Sequence, residues 1–184
     1  MSNEQLQTGK DGYIRIVVGQ SPYKSADKRY NQEDYLFTRP AFIVSDKKAE
    51  NIQDLRTMAI VLGMIFGKEK AKEYIINYKS IGAAELVNDL TRNGIYLANI
   101  EDDKEKIQDL VACGNKKVKL LLLGSDAIDA VKNFPKKDNV EIYEFPHPSR
   151  HNLPAFFKAF IPDGLFEIRD YSSSDSIKKG FTIQ

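Results

Sequence analysis

Gly19-Gln20-Ser21-Pro22-Tyr23 directly follows the apolar run Ile14-Arg15-Ile16-Val17-Val18, and His147-Pro148-Ser149 directly follows Val140-Glu141-Ile142-Tyr143-Glu144-Phe145. Each is a turn-forming loop leaving what reads as a buried strand, and open α/β folds build their sites where such loops leave the carboxyl ends of a parallel sheet. The pattern therefore predicts a phenol and an imidazole, from Tyr23 and His147, in one crevice. Other chemistries lack their residues. The glycine loop has neither the G-x-G-x-x-G nor the G-K-S/T spacing that dinucleotide and nucleoside triphosphate sites use. His147 and His151 stand four apart, but Pro148 interrupts a helical pair and no Cys or carboxylate cluster joins them. No metal centre is expected, and no cofactor. Cys113, the single cysteine, has no histidine implied beside it and is not expected to act as a nucleophile.

The elements that must position these loops follow from hydrophobic periodicity. Strands are expected at 13–18, 95–98, 118–123 and 140–145; their Ile-, Val- and Leu-rich composition suits a sheet buried on both faces. Between them, Leu55, Met58, Ala59, Leu62 and Phe66 recur at three- and four-residue steps, predicting a helix over 51–66 with one core-facing stripe. Further helices are expected over 68–78, 83–93, from Asp102 and Asp103 onward, over 127–133 and around 155–160. Residues 24–39 read as a long irregular loop, and the Ser-rich stretch 171–176 as a tail. Strand and helix alternate at the spacing of βα units, so the expected fold is a three-layer α/β/α sandwich around a four-stranded, mostly parallel sheet.

Composition bounds the rest. The 184 residues, 42% hydrophobic, suit one domain, with its core at about 12–162. Lys and Arg (27) nearly cancel Asp and Glu (26), so a net charge of +1 neither advertises nor excludes nucleic acid, and only local clusters such as Lys116-Lys117 or Lys136-Lys137 could meet a phosphate backbone. One cysteine precludes an internal disulfide framework and suits a reducing compartment. The amino terminus lacks a signal-peptide layout and no apolar run approaches the roughly 20 residues a membrane span needs. The expectation is a soluble cytoplasmic protein.

The two loops, in order, resemble the uracil-DNA glycosylase superfamily. Gly19-Gln20-Ser21-Pro22-Tyr23 is similar to its first motif, G-Q-D-P-Y in the uracil-specific branch, and His147-Pro148-Ser149 to its H-P-S motif. Gly94-Ile95-Tyr96-Leu97-Ala98-Asn99 resembles the strand that delivers the family's base-reading Asn, and Leu120 to Ala127 the strand and helix start that follow. The likeness spans about residues 12–160. It implies hydrolysis of the bond between a flipped-out base and its sugar, through an oxocarbenium-like cation and a departing base anion. It further implies that Phe42 stacks on the base, Asn99 reads its Watson–Crick edge, Tyr23 crowds the C5 side, and Gln20 lines the base site. His147 would donate to the negative charge developing on O2, and Ser149 would contact a phosphate. DNA, single- or double-stranded, is the implied partner, and a monomer the implied state.

The chain departs from the pattern at three places, one of them a segment from Tyr23 to Phe42 longer than the resemblance leads one to expect. Ser21 stands where the uracil-specific branch has an Asp that positions water and balances the sugar cation; a hydroxyl orients water but brings no charge. Arg150-His151 follows the H-P-S motif where the family has Pro-Leu, and Arg150 has the chemistry to bind phosphate or to fill a gap by stacking. These residues leave three readings open: a glycosylase for uracil or a related deaminated or modified base, with Ser21 and His147 as its catalytic pair; a glycosylase fold that binds DNA or another ligand without hydrolysis; and an α/β domain for a small molecule or a protein.

Overall fold

The runs rich in Ile, Val and Leu form four strands, β1 (Tyr13–Gly19), β2 (Ile95–Asn99), β3 (Lys117–Leu123) and β4 (Val140–Phe145). The structure is a computed structural model and describes residues 6–20, 37, 40–44, 52–148 and 155–166. Its sheet has the order β2-β1-β3-β4 and is parallel throughout. Register lines up the carboxyl ends: Gly19 lies opposite Asn99, Val18 opposite Leu122, and Leu123 opposite Phe145. Because the chain runs outward from β1 to β2 and then returns past β1 to β3, the direction of winding reverses between β1 and β3. Ligand sites of open α/β sheets form outside the strand ends at such a reversal.

Alternation of side chains gives each face its own core. Ile14, Ile16, Val18, Tyr96, Ala98, Val118, Leu120 and Leu122 pack with α3 (Ile100–Cys113) and α4 (Ser125–Val131). Val17, Leu97, Leu121, Leu123 and Phe145 pack with α1 (Arg56–Phe66) and α2 (Lys68–Arg92). The three-layer sandwich is as the alternation of elements predicts. Each fully buried Val, Leu, Ile or Phe among these side chains contributes about 1.5–3 kcal/mol relative to exposure. The packed layers also take in part of the polar lead-in: Leu6 is buried, Lys116 donates to its carbonyl at 3.1 Å, and the Gln7 N–H donates to the Tyr96 hydroxyl at 2.8 Å.

Several elements differ in detail from their expected form. The first helix opens with a 3-10 turn, Ile52–Leu55, and every residue from Met58 to Ile65 is buried, not one stripe. The cause is that α1 is covered by α2 and by the 3-10 helix Ala155–Phe160 as well as by the sheet. A helix enclosed in this way is apolar all round. The two helices expected over 68–78 and 83–93 are present within α2, separated by a kink at Gly82, whose φ of 72° and ψ of 167° leave the helical region; only the end of the first differs, running on to Ile81. α3 starts two residues early, at Ile100, and keeps Glu101, Asp102 and Asp103 in its first turn, where carboxylates oppose the helix dipole. α4 runs over Ser125–Val131, shifted from 127–133, and the last helix is 3-10 in form. The stretch 171–176 and nearly all of the loop 24–39 lie outside the described residues. No helix among the described residues is long and apolar enough to cross a membrane.

The amino half of the α1/α2 face is polar. Glu141 accepts from the Tyr13 hydroxyl at 2.7 Å and from the Tyr143 hydroxyl at 2.6 Å, and Lys119 lies 3.6 Å away and over the Tyr13 ring. Nearby, the buried Arg15 guanidinium pairs with the Asp11 carboxylate through both terminal nitrogens.

Two measurements test this packing. A methyl at Gly63 would sit 2.0 Å from the Phe160 carbonyl oxygen, a backbone atom that cannot swing aside. Gly63→Ala is expected to destabilise the fold by about 1–3 kcal/mol in chemical denaturation, outweighing the ~1 kcal/mol that alanine brings to a helix interior. The Tyr143 hydroxyl, donating to Glu141 and partly buried, has its pKa pushed up from 10.0 to about 12. Its contribution to stability is thus complete below pH 10 and lost as pH rises through about 12. The Glu141 carboxyl is held below its ordinary 4.5, first by Tyr143 and then by Tyr13, so its contribution is complete above that value and fades as pH falls through the lower folded one. Glu141→Gln should return the Tyr143 titration, followed by ultraviolet absorbance, toward 10; an unmoved titration would contradict the assigned hydrogen bond.

Candidate functional site

Four strand ends and one turn meet at the carboxyl edge of the sheet. β1 ends at Gly19, whose neighbour in the ladder is Asn99, the last residue of β2 and the N-cap position of α3. The side chain of Asn99 is fully buried. Its carboxamide makes no capping bond to α3; instead the Asn99 N–H donates to the Asp103 carboxylate at 3.3 Å. The chain beyond Gly19 is tied to the same place, because the Gln20 carbonyl accepts from the Glu101 N–H at 3.2 Å.

Phe42 reaches this edge from the turn at 41–44, and Gly19 makes room for it. A methyl at Gly19 would meet the Phe42 ring at 2.8 Å. Phe42 is 6% exposed and has a φ of 65°, among the described residues the one non-glycine residue in the left-handed region. For an aromatic side chain this backbone costs on the order of 1–3 kcal/mol and persists only where surrounding structure enforces it. Here the enforcement is visible: Ala41, Ile43 and Val44 are buried with Phe42, and the buried Tyr78 hydroxyl of α2 donates to the Val44 carbonyl.

His147 comes from the other end of the sheet, two residues past β4. Its ring centroid is 5.9 Å from that of Phe42, with the planes inclined at 47°. Beneath it lies Gly124, which has a φ of 104° and whose N–H donates to the Phe145 carbonyl at 2.9 Å. A methyl on Gly124 would come within 3.2 Å of the His147 Cβ and 3.5 Å of its Cδ2, so glycine is required both by the backbone and by the imidazole. His147 is an exposed residue, yet the protein packed around its ring lowers the imidazole pKa below 6.5, against the opposing pull of the Asp126 carboxylate. The neutral imidazole is therefore favoured in the fold, able to donate from one nitrogen and accept at the other.

Of the residues expected to carry function, Asn99, Phe42 and His147 come to one edge, with Gln20 exposed beside them. Ser21, Tyr23, Ser149, Arg150 and His151 lie outside the described residues. Three contributors escape sequence reasoning. Thr57 reads as an ordinary first-turn helix residue, yet its hydroxyl donates to the Pro148 carbonyl at 3.1 Å. Tyr78 reads as helix core, and Gly124 as a simple strand stop; the glycine after β3 is a signal whose purpose appears only with His147 in place. A shallow apolar recess lies elsewhere, along β2 between Phe37, Pro40, Val87 and Leu90. Its one titratable group, Tyr96, is raised by burial and bonded to Gln7, so the recess offers packing and not acid–base chemistry.

No family model, curated protein or solved structure matches the chain in comparisons with known proteins.

The imidazole environment is directly measurable, since the chain has two histidines and His151→Gln assigns the spectrum. His147 is expected to titrate below 6.5 by NMR, and Asp126→Asn, which removes the group that raises it, to titrate lower still. A folded-state pKa held down means that this group's contribution to stability is complete above the ordinary imidazole value and is lost as pH falls through the folded one. A rise in Asp126→Asn would contradict the arrangement.

Proposed function

We propose that the chain is a DNA glycosylase of the uracil-DNA glycosylase kind, hydrolysing the bond between deoxyribose and uracil or a related deaminated or modified base. The observation that carries this reading is the meeting of Asn99, Phe42 and His147 at one sheet edge, from positions that the sequence separates by more than a hundred residues. An amide, an aromatic ring and a neutral imidazole are the groups needed to read, stack and polarise a flipped pyrimidine.

In this reading the C1′–N bond breaks with its electron pair leaving on the base, and water adds to C1′ and gives up a proton, which through solvent neutralises the departed base anion. His147, kept neutral, donates a hydrogen bond to the oxygen on which negative charge collects. Neutrality suits that role: the imidazole stabilises charge without having transferred its proton beforehand. Asn99 supplies a donor and an acceptor to the base edge, and Phe42 an apolar face. Ser21 orients the water without balancing the sugar cation, so hydrolysis is slow. The same neutral residue favours the second reading, a protein that holds a flipped base without cleaving it.

Incubation with uracil-containing single- and double-stranded oligonucleotides, followed by alkali to cut abasic sites, separates the two. Strand scission is expected in the parent chain, with a loss of about 10²–10³-fold in His147→Ala, the usual effect of deleting a charge-stabilising donor. Ser21→Asp should raise the rate by about 10-fold or more by adding the missing negative charge. Base-dependent binding without scission, with scission appearing only in Ser21→Asp, selects the second reading. No base-dependent binding in any variant defeats both.

A further inference from the structure

We infer that Thr57 is a positioning residue for His147, holding the imidazole at the carboxyl edge by anchoring the residue next to it. The Thr57 Oγ1 donates to the Pro148 carbonyl at 3.1 Å, across 91 positions of sequence. Pro148 is buried and, as a proline, has no N–H, so its carbonyl is the one backbone group through which a hydrogen bond can hold it. On its other side the loop rests against Gly124, where His147 Cβ stands at 3.2 Å from the site of an added methyl, and against the Phe42 ring at 5.9 Å. His147 is thereby fixed between a contact it makes itself and one made for it by Thr57.

Thr57 is suited to this by where it sits. It belongs to the first turn of α1, a helix buried from Met58 to Ile65 and therefore braced on every side. A side chain on such a support holds its partner more precisely than one on a loop. The hydroxyl is also the only polar group that threonine can offer here, so Thr57→Val preserves the shape and removes the donor, while Thr57→Ser preserves the donor and removes a methyl.

The inference deepens the proposed function and rests on that reading for its catalytic arm, but its structural arm stands without it. In the full chain carrying His151→Gln, the nuclear Overhauser contact between the His147 and Phe42 rings is expected to weaken or vanish in Thr57→Val and to persist in Thr57→Ser. On uracil-containing DNA, kcat should fall about 10- to 100-fold in Thr57→Val with KM changed by less than about 2-fold, the size expected when a catalytic group is misplaced, and Thr57→Ser should restore it. A folded Thr57→Val that keeps the parent ring contact and His147 shifts overturns the inference, whatever the activity. So does a Thr57→Ser variant in which the contact is lost although the hydroxyl remains. A parent chain without glycosylase activity defeats the functional reading alone and leaves the ring-contact measurement to decide the role of Thr57.

Discussion

The rest of the structure depends on the parallel register of four strands whose carboxyl ends finish level. Parallel pairing obliges each strand to be followed by a crossover that returns the chain to the starting edge, so every strand end becomes the start of a loop at the same side. With Gly19 beside Asn99 and Leu123 beside Phe145, those loops begin within one ladder step of one another. A slip of one residue in any strand would turn its apolar set to the wrong face, and both faces are buried, so the register is strongly specified.

Level strand ends bring loops near each other but do not fix what they present. That is done by close approach and by tethering. Gly19 and Gly124 lack the side chains that would hold Phe42 and His147 away from the backbone, and so let the two rings come together. From the helical layer, Tyr78 holds the turn that carries Phe42 and Thr57 holds the loop that carries His147. The left-handed backbone of Phe42 is the cost of this arrangement, offset by the burial of residues 41–44. Both tethers are hydroxyl donors from helices to carbonyls of irregular chain, where no ladder is present to satisfy the oxygen.

The two ends of the sheet on this face are chemically unlike. At the amino end, Tyr13, Lys119, Glu141 and Tyr143 form a mutually satisfied network that holds the Glu141 carboxyl down and the Tyr143 phenol up. At the carboxyl end His147 stands against the Phe42 ring and close over the Gly124 backbone, with the Asp126 carboxylate acting on it through its field. The first kind of environment satisfies its charges internally. Chemistry with a neutral imidazole needs the second.

Much of the fold was legible because its causes are local. Continuous runs of Ile, Val and Leu mark strands buried on both faces, three- and four-residue recurrence marks helices, and alternation of the two implies a parallel sheet, all without knowledge of contacts. The placement of Asn99 and His147 at strand ends was legible for the same reason. What periodicity misses is whatever depends on a third neighbour: α1 is buried all round because the segment 155–160 covers it, whereas the break expected between 78 and 83 is local and falls at Gly82. Sequence alone determined the elements, their order and the residue types available for chemistry, since these follow from side-chain size, polarity and spacing along one chain. Only the tertiary structure decided that Phe42 adopts a left-handed turn over Gly19, that Gly124 seats His147 and that Thr57 holds Pro148, because each is a contact between segments whose separation along the chain carries no signal of their nearness in space.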